Sequence, residues 1–225
     1  MASKEEKKEN IRRGILAAAS TYSRELAGKT FLYVIHQTYF EVSFRTNCFL
    51  HLTGVATYLS AKNFYKKAQN GTLTDKQFYF DKQHPYYNAK DKVLCLNRLP
   101  ELTNQFVCIL YHMKTLTFVY KIGVTNLEFT LGLTEHIDKT GKKADSLYLP
   151  RTLRVHDHSV ERSSDPMDDI VDFIFRKDAS SDKYTDLMIA DKSKQIPDPV
   201  HSLLEPDIFS KQYRTISSAT FTPVH

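Results

Sequence analysis

No tryptophan occurs in the 225 residues, and glycine (7), proline (8) and cysteine (3) are all scarce. So few glycines and prolines exclude collagen-like, linker-rich and low-complexity chains. The cysteines, Cys48, Cys95 and Cys108, are an odd number without Cys-x-x-Cys spacing. That argues against a disulfide framework or a zinc knuckle and fits a reducing cytoplasm. The opening MASKEEKKEN is charged and lacks the apolar stretch of a signal peptide, and no apolar run approaches the roughly 18 residues of a membrane span. The expectation is a soluble, cytoplasmic protein with no membrane contact. Also missing are a Gly-rich phosphate loop, His-Glu-x-x-His, Gly-x-Ser-x-Gly and a paired-carboxylate signature, so the common NTPase, zincin and α/β-hydrolase readings have no residues to stand on.

What is present is apolar and aromatic. With 41% hydrophobic residues, 14 Phe and 13 Tyr, the chain can bury the core of one large domain or two small ones. Lys+Arg total 31 against 26 Asp+Glu, a net charge of +5 that permits a nucleic-acid partner without requiring one. The distribution is more telling. Residues 1 to 100 carry 16 basic and 8 acidic side chains, whereas residues 161 to 225 carry 8 basic and 12 acidic. The positive field belongs to the first half.

Helical spacing of Ile11, Ile15, Leu16, Ala19 and Leu26 predicts an N-terminal helix over 4–27, frayed at its start, with Gly28 at its end. Residues 30–36 and 39–45 are β-branched and aromatic and read as a hairpin. Ser60 is a plausible N-cap for a helix over 61–70, closed by Gly71, on which Lys62 and Lys66 share a face four residues apart. A second short helix is expected over 87–96. Strands are expected over 105–111, 117–124, 127–133, 147–156, 170–176 and 184–190, and their short connections favour an antiparallel meander. Helices early and strands late make an α+β domain. The division expected is an N-terminal helix over 1–29, a main domain over 30–191 and an irregular, mobile tail over 192–225.

Three segments can carry chemistry. In Phe49-Leu-His51-Leu-Thr53-Gly54 an imidazole stands just before a Thr-Gly turn and a dibasic helix; it is either a proton shuttle near an anion or a histidine hydrogen-bonded in a β-rich core. In Tyr148-Leu-Pro150-Arg151-Thr152-Leu-Arg154-Val155 alternation puts Thr152 and Arg154 on one strand face, which is either a phosphate cradle or an ordinary solvated face. Between them, Lys121 with Thr130 either extends such a site, or Thr130 is a cross-strand packing residue. On the 61–70 helix Tyr65 belongs to an apolar stripe with Ala61, Phe64 and Ala68. His156 and His158 straddle Asp157 on an exposed strand face and are assigned no metal.

Four segments together, Phe49–Gly54, Leu59–Lys66, Tyr120–Thr130 and Tyr148–Val155, in this order over roughly residues 30–190, resemble the fourth subgroup of phage-associated barnase/EndoU/colicin/RelE-like nuclease domains. The resemblance implies N-terminal helices packed on an antiparallel β-sheet whose concave face binds RNA. It also implies a metal-independent endoribonuclease needing no cofactor, of phage, prophage or mobile-element origin, acting as a toxin or defence effector on RNA such as tRNA or mRNA. RNA supplies the nucleophile in its 2′-OH, so cleavage to a 2′,3′-cyclic phosphate asks the protein only for a base, an acid and cations. On this resemblance His51 is the general base or acid, Lys62 and Arg154 neutralise the phosphorane, and Thr152 hydrogen-bonds a phosphate oxygen. Thr53, Lys66, Lys121, Thr130 and Arg151 complete the substrate site, and an antitoxin or inhibitor protein is an implied partner. The rival reading is a catalytically inert RNA- or protein-binding module on the same scaffold. The motifs also place His51 and Arg154 in one cleft, although about 100 residues separate them.

Overall fold

The computed structural model describes residues 3–115, 119–155, 157 and 170–209. Helix α1 (Lys4–Glu25) is not frayed at its start: the Ser3 hydroxyl accepts the Glu6 N–H, and the Glu6 carboxylate accepts the Ser3 N–H, which closes a capping box. Its buried residues Ile11, Ile15, Ala18, Ala19 and Tyr22 recur at three- and four-residue intervals, one stripe of an amphipathic helix. The hairpin follows as β1 (Lys29–Ile35) and β2 (Thr38–Phe44).

A helical segment comes next. A 3-10 turn at Thr46–Cys48 leads into α2 (Phe49–Thr53), then a two-residue strand β3 (Ala56–Thr57) and α3 (Ala61–Gln69). The Ser60 hydroxyl caps α3 by accepting the Asn63 N–H, as its position predicts. Strand β4 (Phe78–Tyr79) pairs with β3 in a small separate ribbon, and α4 (Tyr86–Leu96) and α5 (Glu101–Asn104) follow. Then come β5 (Cys108–Lys114), β6 (Val119–Thr125), β7 (Phe129–Ile137), β8 (Lys143–Val155), β9 (Phe173–Asp178), β10 (Asp186–Ala190) and a single turn of helix, α6 (Asp198–His201).

Eight strands form one sheet in the order β10-β9-β1-β2-β8-β7-β6-β5. The meander β5 to β8 is antiparallel throughout, as short connections require, but β8 lies parallel to β2 and is paired with it only at Val42 and Tyr148. This is the departure from an all-antiparallel sheet. At one end the sheet curls: Cys108 bridges Ile170, and the Val171 N–H donates to the Val107 carbonyl.

Alternation along β1 sends Phe31, Tyr33 and Ile35 to one face and Leu32 and Val34 to the other. The first set joins the main core with the buried residues of α1 to α4, so the N-terminal helix is part of the main domain and not a unit beside it. The second set packs with Phe173, Phe175, Val200, Leu204 and Ile208. The stretch 198–209, mostly turns around one short helix, packs Val200, Leu204 and Ile208 over the second sheet face. The expectation for His156 and His158 lies outside the described residues.

Candidate active site

Helix α2 has five residues, too few to persist alone. It holds because Phe49 and Leu52 are fully buried in the main core, which leaves His51 exposed on the opposite side. A histidine sequestered in a β-rich core is thereby overturned. The helix stops at Gly54, whose φ of +75° lies in the left-handed region. A second constraint acts on the same residue: a Cβ there would meet the Lys92 Cδ at 2.8 Å and the Ala89 Cα at 3.2 Å. Gly54 thus lets α4 pass close by, laying the Lys92 stem against the end of α2.

On the other side stands the C-terminal half of β8. Opposite β7, Thr152 pairs with Gly132 and Pro150 with Leu133, so Arg151 has no partner and forms a β-bulge. Its guanidinium Nη1 lies 3.0 Å from the His51 Nε2. An arginine only donates, so Nε2 is the accepting nitrogen and the imidazole proton sits on Nδ1. Three residues on, Arg154 has Nη1 at 3.6 Å from the Asp157 Oδ2, while its Nε is buried with no hydrogen-bond acceptor among the described residues.

These groups line one cleft of about 660 Å³, walled by α2, the β3–β4 ribbon, α4 and β8. His51 and Arg154 meet there across the intervening sequence, with Arg151 between α2 and the strand. Reading along the chain missed Lys92, Asn88, Asp81 and His84, which also line it. Asn88 and Lys92 are four apart on α4 and so share a face, a signal the sequence did contain. Asp81 accepts the backbone N–H of Gln83 and of His84 at 2.8 and 2.7 Å, and its Oδ1 lies 3.1 Å from the His84 Nδ1.

Desolvation and the crowding of positive charge lower the pKa of two groups of the cleft, His51 and Lys92. Although His51 is open to solvent on one side, partial desolvation by the cleft walls pulls its imidazole below its usual range, and the nearby charges of Arg151 and Lys92 pull it further. Burial, followed by the charge of Arg154, brings the Lys92 ammonium down to about 8. At neutral pH the cleft thus holds an uncharged imidazole and an ammonium that gives up its proton readily.

Other residues of the sequence-derived site lie elsewhere. Thr53 is fully buried, its hydroxyl donating to the Leu50 carbonyl and accepting the Val55 N–H. Thr152 and Thr130 are both 6% exposed and pack around two sheet glycines: a Cβ on Gly132 would come within 2.7 Å of the Thr152 Cγ2, and one on Gly123 within 3.2 Å of the Thr130 Cγ2. These three threonines serve helix and sheet packing, a correction to their expected ligand contacts. Lys121 is ion-paired to Glu135 at 2.9 Å on the sheet, outside the cleft lining. Lys62 and Lys66 are exposed on α3 and likewise do not line the cleft. Tyr65 is buried against Tyr22 and Phe49.

Among the described residues no group of three or more His, Cys, Asp and Glu side chains is placed to hold a metal ion, and no helix is long and apolar enough to cross a membrane. No curated protein and no solved structure matches the chain. Residues 14–193 match the family model described as phage-Barnase-EndoU-ColicinE5/D-RelE like nuclease 4, and the chain belongs to that family of phage-associated, nuclease-like domains.

Proposed function

We propose that the cleft cleaves RNA by attack of its own 2′-OH, without a metal ion or cofactor, and that His51 is the general base. The observation that carries this reading is the meeting of His51 with Arg151, Arg154 and Lys92 in one cleft. A neutral imidazole whose Nε2 carries a lone pair is the form a base needs. That lone pair is held by Arg151 until a phosphodiester arrives. The phosphate oxygens then compete for the guanidinium fork, and as Arg151 turns to them Nε2 becomes free to take the 2′-OH proton.

The 2′-oxygen attacks phosphorus, and the guanidinium groups of Arg151 and Arg154 meet the charge that grows on the phosphorane oxygens. Arg154 offers an Nε–H that has no acceptor among the described residues. Lys92 gives its proton to the departing 5′-oxygen, a role suited to an ammonium whose pKa lies near the working pH. The products are a 2′,3′-cyclic phosphate and a 5′-hydroxyl, with one proton gained by His51 and one lost by Lys92. Lys62 and Lys66 on α3 guide flanking phosphates toward the cleft by long-range attraction. An activity of this kind acts on cytoplasmic RNA as a toxin or defence effector, and an inhibitor protein with an acidic face is the partner whose charge fits the cleft.

An oligoribonucleotide with a single cleavage site tests this reading. Cleavage in the presence of a chelator is expected for the all-ribo strand, and none at a nucleotide whose 2′-OH is replaced by hydrogen. Equal cleavage of both strands would remove the 2′-OH, and with it the role given to His51.

A further inference from the structure

At the rim of the cleft stands an aromatic pair that the proton-transfer scheme does not use. Tyr79 lines the cleft, and its ring stacks on Tyr58 with centroids 4.7 Å apart and planes 29° from parallel. Tyr58 is 85% exposed, the most open of the large hydrophobic side chains among the described residues. A ring this open contributes little burial to folding.

The segment beneath it is nevertheless well anchored. Tyr79 is opposite Ala56 in the β3–β4 ribbon, and the neighbouring Phe78, 1% exposed, is sunk in the main core, which by alternation turns Tyr79 outward. The Thr57 hydroxyl donates to the Gln77 carbonyl and accepts the Leu59 N–H, tying down both sides of Tyr58. One face of the Tyr58 ring is taken by Tyr79; among the described residues no other ring stacks on it.

We propose that the Tyr58–Tyr79 pair is a stacking platform for an unpaired nucleobase flanking the phosphate held in the cleft. The inference rests on the ribonuclease reading above and adds a substrate class: single-stranded RNA, gripped at the phosphate by Arg151 and Arg154 and at a base by stacked rings. Stacking of this type is sequence-tolerant, because every base has a π-face, and it demands a base out of its helix. A duplex, whose bases are already stacked, gains nothing from the platform.

Binding of two non-cleavable probes to the full chain tests it: a fluorescently labelled 2′-O-methyl oligonucleotide, and an abasic oligomer with the same number of phosphates. The full chain is expected to prefer the base-bearing probe. Tyr58→Ala is expected to weaken that probe about tenfold, leave the abasic one unchanged, and be rescued by Tyr58→Trp, which restores a ring. Unchanged affinity of Tyr58→Ala for the base-bearing probe overturns the platform, as does equal affinity of the unsubstituted protein for both probes; either leaves the cleavage chemistry standing. Failure of the unsubstituted protein to bind either probe would overturn the ribonuclease reading together with the platform.

Discussion

At the residue scale, the titration of the His51 imidazole follows from its neighbours in the cleft. Partial desolvation, Arg151 and Lys92 all disfavour the imidazolium, so the folded protein holds His51 below the ordinary histidine value of about 6.5. Followed by NMR, His51 is expected to titrate below 6.5 and to move up toward it in Arg151→Ala, where one repelling charge is gone. An unchanged titration would mean that the 3.0 Å contact to Arg151 does not persist in solution. If His51 is the base and Lys92 the acid, as proposed, a base held below its usual range stays competent to lower pH while Lys92 loses its proton near 8, and the expected rate profile is a bell bounded by these two groups. That His51, Arg151 and Arg154 share one cleft was legible in the sequence, because histidine and arginine in short motifs mark a place where an anion can be met. The threonines were misread for the converse reason. A strand threonine spells the same whether its hydroxyl faces a ligand or its methyl fills the notch above a glycine, as at Thr152 over Gly132.

At the scale of elements, α2 and β8 make the site, and each depends on a local irregularity. The bulge at Arg151 shifts the phase of β8 by one residue, so strict alternation could not tell which of the two arginines reaches His51. Gly54 ends α2 and admits α4. Gly54→Ala combines a strained positive φ with a Cβ 2.8 Å from the Lys92 Cδ, and is expected to lower stability by about 1–3 kcal/mol. Urea denaturation measures this, and a fall in cleavage greater than the unfolded fraction explains would show α2 and α4 displaced relative to each other. A stability equal to that of the unsubstituted protein would show that the chain relaxes around the new methyl group. The periodicity of α1, the Ser60 cap and all six late strands were readable, since each is specified by nearby residues. The parallel β2–β8 pairing was not: its partners lie on either side of α2 to α5 and the meander, and no local pattern encodes which strand fills the place beside β2.

Over the whole molecule, the sheet divides the labour between its faces. One face, with α1 to α4, builds the core from which α2 and α4 project their polar sides toward β8; the other is sealed near β1 and β9 by Val200, Leu204 and Ile208. The acidic last third of the sequence thus includes a structural cover over the face opposite the helices, while the cleft draws its cations from α4 and β8. A basic first half is consistent with RNA approach from the helical side, although two of the three cleft cations, Arg151 and Arg154, come from the second half. The central claim is that this cleft, through His51, cuts RNA by transesterification. Its most direct test is end-group analysis of RNA incubated in EDTA with the purified protein and with His51→Ala. The account predicts 2′,3′-cyclic phosphate and 5′-hydroxyl ends, formed about two to four orders of magnitude more slowly by His51→Ala although it still folds and binds RNA. Ends bearing a 5′-phosphate, or intact RNA that the unsubstituted protein binds but never cuts, would contradict it.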